Sequence, residues 1–257
     1  MLKLTLLNSI FIFSFFVSAQ NVNQLKQDLQ SIYNNSKEYF QAPLKFSSED
    51  FQTTGIISCF VSLSTLMDSE IKNFSQSKFD SSLTLLRKFD SYYHIEFISA
   101  STLSLFLYGN ITNKKEVREL SVNLISSSLL TGLTTYGLKT LFGRTRPYET
   151  DDKYEFNFFE LEDKFQAFPS GHTSLAFSFS TIMAEQNKTF IWKTFWYSAA
   201  TLVGFSRIYN NKHWFSDVLM GAIIGYYTAK FVLNRDKNYS SDNINLPTNK
   251  IVFLIRL

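Results

Sequence analysis

Histidine is scarce in this chain. There are three, His94, His172 and His213, and two of them sit in short stretches whose neighbouring residues can do chemistry. The first stretch is KTLFGRTRP, residues 139–147. The second is PSGH, residues 169–172, and the third is SRIYNNKHWFSD, residues 206–217. Taken singly, each has a plain structural reading. Lys139 and Arg146 suit the last turn of a helix, where the dipole favours cations. Pro147 can end that helix, Ser170 and Gly171 can start another, and His213 with Asp217 is an ordinary pair four residues apart.

Taken together the three stretches describe a site for a phosphate group. Lys139 is a compact cation on a flexible stem. Arg146 and Arg207 are planar forks that can grip phosphate oxygens two at a time. Ser170 and Gly171 fall where a helix begins, so unpaired backbone N–H groups and the helix dipole favour an anion there. Gly171 lets the phosphate approach the backbone. The two histidines then take different tasks. Asp217, one helical turn after His213, is expected to accept its Nδ1–H, which frees Nε2 to attack phosphorus. His172, beside the anion-binding turn, is suited to protonate the leaving oxygen and later to activate water. The cations can neutralise charge without a metal or other cofactor, and no dense Cys, His or carboxylate set accompanies them. His94 reads as structural.

These residues need helices to position them. The chain is rich in Phe, Leu, Ile and Ser and has only nine Gly and four Pro in 257 residues, which favours long helices over many strands and turns. Residues 22–40 have an amphipathic helical period, stopped near Pro43. Ser47 to Asp50 predicts an N-cap for a helix reaching about Met67. Residues 68–90 are polar and mixed, predicting short helix and loop. Apolar helical segments follow at about 92–109, 116–142, 171–186, 190–209 and 214–234. The acidic, aromatic stretch 148–168 has no clear period and predicts a long, functional loop. Cys59, the only cysteine, predicts a small buried residue without a disulfide.

The order Lys-x6-Arg-Pro, Pro-Ser-Gly-His, Ser-Arg-x5-His-x3-Asp resembles the signature of the type 2 phosphatidic acid phosphatase and vanadium haloperoxidase superfamily, matched in all three parts from Lys139 to Asp217. The likeness covers about residues 95–234. It implies an all-α fold, a helical bundle with the site at one end. It also implies the roles reached above from chemistry: His213 as nucleophile, His172 as acid and base, and Lys139, Arg146, Ser170, Gly171 and Arg207 as phosphate binders. Residues 20–90 carry none of the signature.

The expected organisation is a signal peptide at 1–19, an N-terminal helical segment at 20–90, a catalytic bundle at 91–236 and a tail at 237–257. Lys3, the apolar run 4–17 and the small residues Val17-Ser18-Ala19 carry the signal-peptide expectation, hence export to the periplasm or another extracytoplasmic space. The net charge of +3 is dispersed, with no basic block, so nucleic acid is not an expected partner. The charge-free runs 97–113 and 121–138 approach but do not reach a clear membrane span, leaving soluble and membrane-associated forms both open. The expected activity is metal-independent hydrolysis of a phosphate monoester or diphosphate through a phosphohistidine. A phosphorylated lipid is slightly favoured over a small phosphate ester. A vanadate-dependent haloperoxidase and a non-catalytic phospholipid-binding protein are the alternatives.

Overall fold

A computed structural model describes residues 22–78 and 84–242. The expected signal peptide and the apolar end of the tail lie outside the described residues.

Nine α-helices carry the described residues: α1 Val22–Gln41, α2 Ser48–Ser64, α3 Asp68–Ser77, α4 Thr84–Tyr92, α5 Ile95–Ile111, α6 Lys115–Phe142, α7 Gly171–Ala184, α8 Phe190–Tyr209 and α9 Phe215–Asp242. No strand forms among the described residues. One isolated antiparallel bridge joins Arg144 to Phe156. The predicted helices form within a few residues of their expected ends, except that α9 runs on to Asp242, into the expected polar tail.

Local signals account for several boundaries. Ser47 caps α2 through a reciprocal capping box, Asp50 N–H to Ser47 Oγ at 3.2 Å and Ser47 N–H to Asp50 Oδ2 at 2.8 Å. Gly143 ends α6 in the left-handed region (φ 54°). A Cβ there would collide with the Asn157 carbonyl, 1.6 Å away. Only glycine can therefore close α6 and let the 144–168 loop fold back over its end.

The centre of the bundle is α7, packed against α6, α8 and α9. Its core contains Leu124, Ala176, Phe179, Ile182, Ala200, Val203 and Ala229. Hydroxyls lie among these apolar groups and bond across helices, Ser127 to Ser178 at 2.5 Å and Thr135 to Ser174 at 2.9 Å. They satisfy polar atoms that would otherwise be costly inside. Gly221 and Gly225, one turn apart on α9, lie against α7. A Cβ on them would come within 2.5 Å of Ser170 O and 2.1 Å of Ser174 O. The two backbones thus approach closely just below the PSGH turn.

Helices α1, α3 and α4 are joined to this bundle by buried ion pairs. Asp28 of α1 meets Arg118 of α6 at 2.8 Å, Asp68 of α3 meets Arg144 at 2.8 Å, and Asp90 of α4 meets Arg207 of α8 at 2.5 Å. Cys59 departs from expectation and is exposed, because the apolar residues of α2 largely face outward, with Phe51, Ile56 and Phe60 all exposed.

Candidate active site

The C-terminal ends of α6 and α8 and the N-terminal ends of α7 and α9 meet at one end of the bundle. That topology brings the three sequence stretches together. The loop after α6 is laced down by backbone bonds, Arg146 N–H to Lys164 O at 2.8 Å and Ala167 N–H to Arg144 O at 3.0 Å. Ser170 N–H then reaches Asp217 O on α9 at 2.9 Å, fixing the PSGH turn to the start of α9.

Lys139 leaves the last turn of α6 and passes over Gly171. A Cβ on that glycine would lie 3.6 Å from Lys139 Cε. Its ammonium donates to the Gln166 carbonyl. Burial, and then the neighbouring Arg146, push Lys139 down to about 7. Arg146 is buried and held by the Asp163 carbonyl and carboxylate, each at 2.7 Å. Arg207 pairs with Asp90, while its Nε is buried with no hydrogen-bond partner among the described residues. A buried guanidinium N–H without an acceptor is the kind of donor an anion would satisfy. Ser170, fully buried, occupies the N-cap position of α7 but does not cap it. Its hydroxyl lies 2.9 Å from that of Thr173.

His213 is buried. Its Nδ1 faces the Ala167 carbonyl at 2.7 Å. A carbonyl can only accept, so Nδ1 carries the proton and Nε2 is the free nitrogen. This corrects the expectation for Asp217. Its carboxylate lies 3.6 Å from Nδ1 and is bonded elsewhere, to Arg144 Nη1 at 2.6 Å and to Trp214 N–H at 2.8 Å. Being third in α9, Asp217 bonds back to the Trp214 N–H as in the second half of a capping box, which directs the carboxylate away from the imidazole. Ala167 fixes the tautomer, and Asp217 acts on His213 through charge. Burial, then Lys139, Arg207 and Arg146, hold the His213 imidazolium far below the usual range. Burial pushes the Asp217 carboxyl up, opposed chiefly by Arg144.

His172, in the first turn of α7, is depressed to about 2, by burial first, then by Arg207 and His94. His94 is therefore not the remote structural residue expected. It sits at the N-cap position of α5 with its ring centroid 4.3 Å from that of His172, and it bonds to Glu96. Sequence reasoning also missed Arg144, Asp68 and Asp90. Arg144 was visible as the second arginine of GRTRP, two residues before Arg146. Asp68, Asp90 and His94 have no fixed spacing to the motifs, and only the tertiary fold brings them in. No group of three or more His, Cys, Asp or Glu among the described residues could hold a metal ion.

Clustered cations, a helix N-terminus and two histidines on a helical bundle make a constellation suited to holding a phosphate group. Residues 120–239 match the family model of the PAP2 superfamily. The chain is 36% identical over 103 residues, 39% of its length, to a lipid A 1-phosphatase of Porphyromonas gingivalis, of which the match covers 20%. It is 29% identical over 162 residues, 51% of its length, to a probable diacylglycerol pyrophosphate phosphatase 1 of Schizosaccharomyces pombe, of which the match covers 58%. The chain thus spans between a fifth and about three fifths of these relatives. Its fold is similar to the crystal structure of Aquifex aeolicus LpxE, at a TM-score of 0.53 and 24% identity over 65% of this chain and 95% of that one. It is also similar to that of a transmembrane PAP2-type phosphatidylglycerolphosphate phosphatase from Bacillus subtilis, at a TM-score of 0.55 and 20% identity over 71% of this chain and 94% of that one. The all-α bundle is the fold these structures share.

Proposed function

We propose that the protein is a metal-independent phosphatase that hydrolyses a lipid phosphate monoester or diphosphate through a phosphohistidine at His213. The observation that carries this reading is the convergence of Lys139, Arg146, Arg207 and the start of α7 around a buried imidazole whose Nδ1 is held by the Ala167 carbonyl. The cations bind the phosphate oxygens and spread the charge of the transition state. Nε2 of His213 attacks phosphorus as the bond to the leaving oxygen breaks. His172 gives that oxygen a proton. Water then attacks the phosphohistidine, His172 takes the proton from it, and inorganic phosphate leaves.

The charge balance explains how His172 can serve as an acid. Burial, and then the surrounding cations, hold it neutral. A phosphate dianion offsets those cations and raises its affinity for a proton, so substrate and proton bind together. Asp163, on the exposed end of the Arg146 pair, yields its place to substrate.

The preference for a lipid rests on the rim. Tyr154, Phe158, Phe159 and Leu161 project from the loop beside the site, each more than half exposed. Such a patch suits acyl chains or a lipid surface. The relatives named as lipid phosphatases support the same substrate class. No helix among the described residues is long and apolar enough to cross a membrane. We place the protein at an extracytoplasmic membrane surface, reached through export.

Release of inorganic phosphate by the purified full chain, in EDTA, tests the reading. Phosphatidic acid in detergent micelles is compared with para-nitrophenyl phosphate. Higher kcat/KM on phosphatidic acid is expected. Phosphate release from neither ester would sink the phosphatase reading, and peroxide-and-halide activity dependent on added vanadate would replace it with the haloperoxidase one.

A further inference from the structure

We propose that Asp68, on a helix outside the family match, is a positioning residue for the nucleophile, acting through Arg144 and Asp217 to keep a net negative charge behind His213. The inference rests on the phosphatase reading above.

Asp217 alone cannot supply that charge. Arg144 Nη1 donates to it at 2.6 Å, and both side chains are almost fully removed from solvent, so the two form a neutral pair. Arg144 has a second carboxylate, Asp68, 2.8 Å from Nη2. Asp68 is 1% exposed. Its Oδ1 accepts the Ser216 N–H at 2.9 Å, and its Oδ2 accepts the Ser216 hydroxyl at 2.7 Å as well as Arg144. Ser216 Oγ in turn accepts from Arg144 Nη1 at 2.7 Å. On Asp217, Oδ1 accepts from Arg144 and Oδ2 from the Trp214 N–H. All four carboxylate oxygens therefore face donors. Two carboxylates share one guanidinium, and the cluster keeps one negative charge.

That charge has a use in the reaction. When Nε2 bonds to phosphorus the ring becomes cationic, with its Nδ1–H still held by Ala167. It does so among Lys139, Arg146 and Arg207, which all oppose a further positive charge. The anionic cluster, whose Asp217 oxygen is 3.6 Å from Nδ1, is the stabilising counterpart on the side away from the phosphate. Without Asp68 the cluster is neutral, and the imidazolium forms at a cost. Buried ion pairs can also serve stability alone, and a double variant that restores the net charge separates charge from packing.

The full chain is compared as wild type, Asp68→Asn, Asp68→Asn with Arg144→Gln, and His213→Ala. Para-nitrophenyl phosphate and phosphatidic acid in detergent micelles are the substrates, and thermal unfolding is followed in parallel. Asp68→Asn is expected to lower kcat on both esters by roughly ten- to a hundredfold, the range seen for hydrogen-bonding partners one step removed from metal-bound histidines. KM should stay within about twofold, because the cations that bind phosphate are untouched. The double variant removes one charge of each sign, leaves Asp217 negative, and should recover most of kcat. Wild-type kcat in Asp68→Asn overturns the proposal. So does a folded double variant no more active than the single one. If Asp68→Asn does not accumulate, the double variant decides alone: kcat near wild type supports the proposal, and loss to the His213→Ala level overturns it. Failure of wild type on both esters would instead remove the phosphatase reading and this proposal with it.

Discussion

Lys139 links the charge of the site to pH. Burial and then Arg146 hold its pKa at about 7, so the site loses a cation as pH rises through that value. A ligand of constant charge should report this. Sulfate, a dianion throughout, should inhibit less above pH 7 than below it, and Lys139→Arg, always charged, should flatten the dependence. A sulfate inhibition constant that is flat with pH in wild type would contradict the depressed lysine. His172 is distinguished by its leaving group. An aryl phosphate leaves as a stabilised anion, whereas an alkyl or glycerolipid phosphate needs a proton. His172→Ala should therefore slow the first step, release of the leaving alcohol in a single turnover, about 10²–10⁴-fold on phosphatidic acid and far less on para-nitrophenyl phosphate. Equal losses would assign His172 to phosphate binding alone.

At the scale of helices, the α7–α9 contact carries the site. Gly225→Ala would force its Cβ to within 2.1 Å of Ser174 O, prising α9 from α7. It should destabilise by ~1–3 kcal/mol and lower kcat together with Tm, because His213 and Ser170 sit on either side of that contact. Ser47→Ala, which breaks the capping box of α2, should cost ~1 kcal/mol with kcat unchanged. Thermal unfolding and turnover of both variants test this contrast. The helices were largely legible in the sequence because local signals define them: Ser47 and Asp50 at one start, Gly143 at one end, and an apolar period along α1. The motif residues were legible because their spacing is fixed within single turns. The His213–Asp217 spacing was misleading for the same reason. Four residues place the two on one helical face only if the helix already includes His213, but α9 begins at Phe215. Asp68, Asp90 and His94 reach the site from far along the chain, through packing that no local pattern records.

For the whole molecule, the buried ion pairs between α3, α4 and the bundle make these helices part of the site's electrostatics. Asp68 and Asp90 counter two of its guanidinium groups. Charge neutralisation by protein cations implies indifference to chelators and sensitivity to vanadate, which can adopt the shape of the transition state. Loss of activity in EDTA, restored by Mg²⁺ or Zn²⁺, would contradict that. The most direct test of the account is to trap the intermediate. Wild type mixed with ³²P-labelled substrate and quenched in alkali, where phosphohistidine survives, should carry label on the peptide containing His213, and His213→Ala should carry none. Label that persists in His213→Ala, or a wild type that turns over without ever becoming labelled, would contradict the assignment of His213 as the nucleophile.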